Sequence, residues 1–246
     1  MDLQSHTHAH RIHERLENPR SFVLFVSAAL LYVAGLTSGL VEDVLDNETI
    51  VRIDGWLVHW LAAHRTPGGI RLFAGISFLG NWQLAVAVLA LTVLLLWRRR
   101  RTAALTLLLA CAGSEATVYL GKAGFGRPRP PAVLAVVQEL DASFPSGHAN
   151  ISVALYALGC YLLLRATRSR KAKSLWLTLG CFLPLAIGFS RLYLGAHYLS
   201  DVLAGWAVGC WWSLLALGLF GYLRRRRTVS RATPPAVAAT PPVNPA

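Results

Sequence analysis

Residues 175–223 read LWLTLGCFLPLAIGFSRLYLGAHYLSDVLAGWAVGCWWSLLALGLFGYL: two apolar stretches of membrane-spanning length joined through a short polar segment. The joint, residues 190–201, holds a serine, an arginine, a histidine and an aspartate, groups too costly beside lipid to stand there without a reason. A lipid-exposed backbone must satisfy its own hydrogen bonds, so the two stretches are read as α-helices. The segment therefore predicts a helical membrane hairpin with a polar centre at its turn.

The rest of the chain extends that pattern. Of its 246 residues 54% are hydrophobic and 15% charged, with a mean hydropathy of +0.47, a membrane protein's balance. Further apolar runs fall at about 22–41, 72–97, 102–121 and 148–164. The expected fold is an all-α polytopic membrane protein with six transmembrane helices in one bundle. Between the first two runs, Trp56, Leu57, Trp60 and Leu61 recur at helical spacing and predict a short interfacial helix, ended by Thr66-Pro67-Gly68-Gly69. The expected domain plan is a polar N-terminal tail over 1–20 carrying His6, His8, His10 and His13, a membrane domain over 21–227, and a disordered Pro/Ala-rich tail over 228–246.

The formal charge of +12 does not point to nucleic acid, because the basic residues cluster between apolar runs. Arg11, Arg15 and Arg20, then Arg98 to Arg101, then Arg165 to Lys173, then Arg224 to Arg227 with Arg231, fall on one side of a six-span layout. The positive-inside rule makes that side, with both termini, cytoplasmic in an inner or plasma membrane. Cys111, Cys160, Cys181 and Cys210 lie within apolar runs at no ligand or pairing interval, and are expected as free, buried thiols.

Three polar constellations then fall at the opposite, extracytoplasmic helix ends: Lys122 with Arg129-Pro130, Pro145-Ser146-Gly147-His148, and residues 190–201. His197 and Asp201 are four apart, so on a helix they share a face and the carboxylate orients the imidazole. Lys122, Arg129 and Arg191 supply three cations, two of them guanidinium forks shaped for phosphate oxygens. Ser146 adds a hydroxyl, and Gly147 and His148 offer backbone N–H groups if a helix starts there. This set meets the needs of phosphoryl transfer: charge dispersal, a nucleophile in His197 and a general acid in His148. The scheme calls for no metal and no other cofactor.

These residues resemble the three-part signature of the type 2 phosphatidic-acid phosphatase superfamily, which contains membrane lipid phosphatases and vanadium haloperoxidases. The resemblance implies a phosphohistidine mechanism acting on lipid phosphates or diphosphates, such as undecaprenyl diphosphate, phosphatidic acid or phosphatidylglycerol phosphate. It also implies that His197, His148 and Asp201 are catalytic, and that Lys122, Arg129, Ser146, Gly147, His148 and Arg191 hold the phosphate. The expected partners are the lipid substrate and the bilayer. Alternatives are a lipid phosphotransferase with the same intermediate, or a lipid-phosphate binder or flippase; the His197–Asp201 pair argues against pure binding.

Other features have plainer readings. Arg127 reads as a solvated loop charge, and His59 and His64 as the polar side of the interfacial helix. Gly35 with Gly39, and Gly205 with Gly209, are GxxxG pairs expected at close helix contacts. Pro184 reads as a tolerated kink, and Tyr193 and Tyr198 as interface aromatics.

Overall fold

The computed structural model describes residues 19–46, 49–80 and 83–232. The histidines of the N-terminal tail and residues 233–246 lie outside them. Among the described residues nine α-helices follow one another: α1 Pro19–Leu45, α2 Thr49–Ala63, α3 Pro67–Phe78, α4 Gln83–Trp97, α5 Arg101–Phe125, α6 Gly147–Ser152, α7 Leu158–Ala166, α8 Arg170–Tyr193 and α9 Leu199–Ala232. A π-helical turn, Val153–Ala157, joins α6 to α7. The helix α9 runs to Ala232, beyond the boundary at 227 drawn from composition.

Among the described residues, five stretches are long and apolar enough to cross a membrane: Val23–Leu45, Arg101–Phe125, Gly147–Leu164, Arg170–Tyr193 and Leu199–Leu223. The expected span over 72–97 is not one helix. It divides into α3 and the 15-residue apolar α4, with a turn through Leu79 and Gly80 between them. That turn is closely packed: at Gly80 a β-carbon would lie 2.7 Å from Ile187 and 3.1 Å from the ring of His148. The Thr66-Pro67-Gly68-Gly69 segment also starts a helix: Thr66 caps α3 by accepting from the Gly69 N–H at 3.1 Å, and proline occupies the first turn.

The central packing runs along α9, which touches α1, α5 and α6. Gly205 and Gly209 let it lie directly on α6: β-carbons there would stand 2.4 Å from the Ser146 carbonyl oxygen and 2.6 Å from that of Asn150. A β-carbon at Gly35 or Gly39 would meet nothing within 4 Å, so that pair makes no close helix contact among the described residues. One apolar cluster gathers Leu107, Ala110, Leu155, Leu158 and Ala216; a second, of Leu61, Ala149, Leu192 and Val202, lies around the helix ends that carry the three motifs. Pro184 is buried, and its carbonyl oxygen accepts from the Trp206 indole at 3.2 Å. Cys111 and Cys160 are buried, whereas Cys181 and Cys210 face outward; all four are free thiols.

Candidate active site

Each motif arrives on a helix end built for it. Lys122 lies in the last turn of α5, which closes at Gly126 with φ 56°, a left-handed conformation that glycine adopts without strain. A loop over 127–146 then passes above the ends of α5, α8 and α9. Ser146 is fully buried, caps α6, and ties it to α9 through its own N–H, which donates to the Asp201 carbonyl at 2.9 Å. Arg191 sits in the last turn of α8, and the chain reverses through Leu194 and Gly195 (φ 70°) into α9.

His197 belongs to that reversal, before α9 begins, so the shared helical face expected for His197 and Asp201 is not what joins them. Asp201 instead folds back over the helix start. Its Oδ2 accepts from the Tyr198 N–H at 2.9 Å and from the Ser143 hydroxyl, and lies 3.4 Å from His197 Nδ1. The opposite ring nitrogen, Nε2, is 3.1 Å from Arg129 Nη1. A guanidinium only donates, so Nε2 carries the lone pair and Nδ1 carries the proton that faces Asp201. Burial disfavours the imidazolium of His197, and Arg129 and Arg191 add to this; Asp201 opposes them, and the net direction is down from the ordinary imidazole value.

Arg129 and Arg191 converge in front of Nε2. Glu139 lies between them, paired with Arg129 at 2.7 Å, paired also with Arg191, and 4.0 Å from His197 Nε2. Asp141 takes the remaining charge, pairing with Lys122 and, at 2.6 Å, with Arg129. Partial burial opposes the charge on both carboxylates, but the cations prevail: Glu139 is held below the usual carboxyl range and Asp141 is lowered to about 2. His148, in the first turn of α6, is within electrostatic reach of Arg191, Glu139, His197 and Lys122. The structure thus gathers Lys122, Arg129, Ser146, Gly147, His148, Arg191, His197 and Asp201 at one end of the bundle. Two loop acids, Glu139 and Asp141, balance the three cations.

Several neighbours escaped the sequence reading. Ser77, brought in by the break between α3 and α4, accepts from Arg191 Nη1 at 2.7 Å. Ser143 and Glu139 lie between the first two motifs, two and six residues before Pro145, where no pattern marked them. Arg65 donates to the carbonyls of Tyr193 and Leu134, pinning the loop to the α8 end, and the Tyr193 hydroxyl accepts from the Thr66 N–H at 3.0 Å. Arg127 is no solvated loop charge. Its side chain is covered because Asp54 and Asp201, both buried, each bond it. Among the described residues no group of three or more His, Cys, Asp or Glu stands in metal-binding proximity.

A match to the PAP2 superfamily covers residues 103–225, half of the chain. The chain belongs to the PAP2 superfamily. An undecaprenyl-diphosphatase of Sulfolobus acidocaldarius is 31% identical over 157 residues, covering 62% of this chain and 70% of that protein. Phosphatidylglycerophosphatase B of Bacillus subtilis is 33% identical over 94 residues, 37% of this chain and 46% of its own length. In three dimensions the PAP2-type phosphatidylglycerolphosphate phosphatase from Bacillus subtilis superposes with a TM-score of 0.61 at 22% identity, over 85% of this chain and 97% of that one. At that identity the superposition speaks for the fold: this PAP2 member is an all-α polytopic membrane protein.

Proposed function

We propose that this PAP2 protein hydrolyses a terminal phosphate of a lipid phosphate or diphosphate, with undecaprenyl diphosphate first among the substrates. The observation that carries the reading is the two-sided environment of His197: Nδ1 turned to a buried carboxylate, Nε2 bare of hydrogen, 3.1 Å from the Arg129 guanidinium and 4.0 Å from the Glu139 carboxylate that Arg191 also holds. A phosphate drawn in by Arg129, Arg191 and Lys122 presents its phosphorus to that lone pair. Nε2 attacks, the phosphorus–oxygen bond to the lipid breaks, and His148 donates the proton that the departing oxygen needs. Asp201 stabilises the positive charge that develops on the imidazole. Water, deprotonated by His148, then attacks the phosphohistidine and releases inorganic phosphate. Arg191 Nε, buried with no hydrogen-bond partner among the described residues, is a donor left over for this anion.

The substrate choice follows the relative from Sulfolobus, 70% of whose length is matched in sequence, against 46% for phosphatidylglycerophosphatase B. The topology belongs to the same proposal: six crossings with α4 as the short one, a membrane domain over 21–227, both tails cytoplasmic, and the site at the extracytoplasmic face of an inner or plasma membrane. The test is phosphate release by purified protein in detergent from undecaprenyl diphosphate, phosphatidic acid and phosphatidylglycerol phosphate, with EDTA present and vanadate as a competing oxyanion. Vanadate-sensitive release from at least one lipid supports the proposal. Transfer of labelled phosphate to another lipid without free phosphate assigns a phosphotransferase instead, and no turnover of any lipid overturns the enzymatic reading.

A further inference from the structure

Behind His197, on the side away from the Arg129 and Glu139 cluster, lies a second ion system that meets the proposed chemistry only through Asp201. Asp54, 1% exposed and carried by α2, accepts from the Ser200 N–H at 3.0 Å, from the Ser200 hydroxyl, and from Arg127 Nη2 at 2.9 Å. Arg127 Nη1 donates to Asp201 Oδ1 at 2.6 Å and to Ser200 Oγ at 2.7 Å, while the ring of Tyr198 lies 4.5 Å from its guanidinium carbon. Asp201 is therefore held from both sides, with Oδ1 on Arg127 and Oδ2 towards His197. A carboxylate gripped at one oxygen by a fork cannot rotate without breaking that bond, so the direction of Oδ2 is fixed from behind.

We infer that Asp54 and Arg127 are positioning residues for the hydrolysis, acting through Asp201 to set the orientation and charge of His197, and that α2 is therefore a working part of the active site. The inference rests on the phosphohistidine reading above. Its charge arithmetic is simple. Two carboxylates and one guanidinium leave the system with one net negative charge, which favours imidazolium as His197 attacks. Asp54→Asn makes the system neutral, and Arg127→Gln leaves it with two negative charges. The double substitution returns it to one. The groups facing His197 from the other elements, Arg129, Arg191, Glu139 and His148, stay the same in all three variants.

The experiment is the pH profile of phosphate release from undecaprenyl diphosphate in detergent, together with vanadate inhibition and the 15N signals of the His197 ring. For Asp54→Asn, kcat should fall by about tenfold to a hundredfold, as when the partner behind a directly acting group is lost, with vanadate affinity unchanged within about threefold. Since His197 must be neutral to attack, the acid limb of kcat/KM should move to lower pH in Asp54→Asn and to higher pH in Arg127→Gln. The double variant should return it towards the wild-type position. If Arg127→Gln fails to fold, Asp54→Asn and the double variant still decide the matter. Limbs that do not move, or that move the same way in both single variants, overturn the positioning role. An inactive wild type overturns the hydrolase reading instead, and the ring 15N titration then tests the positioning role by the same opposed shifts, whose absence overturns it.

Discussion

The two arginines of the Arg127-Pro128-Arg129 sequence are covered to almost the same degree, 12% and 11% exposed, yet they serve opposite sides of one histidine. Their partners make the difference. Arg129 pairs with Glu139 and Asp141, which remain 26% and 56% exposed on a loop; Arg127 pairs with Asp54 and Asp201, at 1% and 0%, on α2 and α9. Water can take over the front carboxylates when another anion displaces them, but nothing can take over the back ones. An exchangeable ion cluster and a permanent one thus meet at His197. The lesson is that the accessibility of the counter-ion, rather than of the arginine, separates a group that can bind substrate from one that holds structure.

The sharpest attempt to break this comparison is at its meeting point. In His197→Ala, turnover should fall by at least about a thousandfold, measured as phosphate release, while the thermal unfolding midpoint stays close to wild type. Next comes the pair of arginine substitutions. Arg127→Gln strands two buried carboxylates and should cost about 3–5 kcal/mol of stability. Arg129→Gln frees only carboxylates that can be hydrated and should cost less than about 1 kcal/mol, with activity as its main casualty. Unfolding of both variants in detergent checks this, and equal losses would remove the distinction between front and back.

Smaller effects sharpen the front side. Glu139 has to leave the guanidinium groups before phosphate can enter, so Glu139→Gln should tighten vanadate inhibition by up to about fivefold, the value of a half-exposed ion pair. Looser inhibition would instead make Glu139 part of anion binding. The pH dependence follows from the direction of the His197 shift. Burial keeps the ring neutral below the ordinary imidazole value, so the acid limb of kcat/KM should lie below about pH 6.5. A limb above that value would mean that Asp201 outweighs burial. The smallest contrast concerns glycines: Gly35→Ala should leave the unfolding midpoint unchanged, whereas Gly205→Ala drives a methyl group against the Ser146 carbonyl and should lower it.

Sequence by itself determined the helical membrane architecture and the identity of the cage. Apolar length and backbone self-satisfaction leave few alternatives in lipid, and Lys122, Arg129, Ser146, His148, Arg191, His197 and Asp201 stood out because polar groups are rare there. Only the tertiary structure decided how they are held. The division of 72–97 into α3 and α4 comes with a turn whose Gly80 packs close to Ile187 and His148, a contact across some seventy to a hundred residues of chain that no local pattern encodes. The same holds for Asp54, Arg127, Ser77 and Glu139. Each became part of the site because folding brought a residue distant in the chain beside it as its partner.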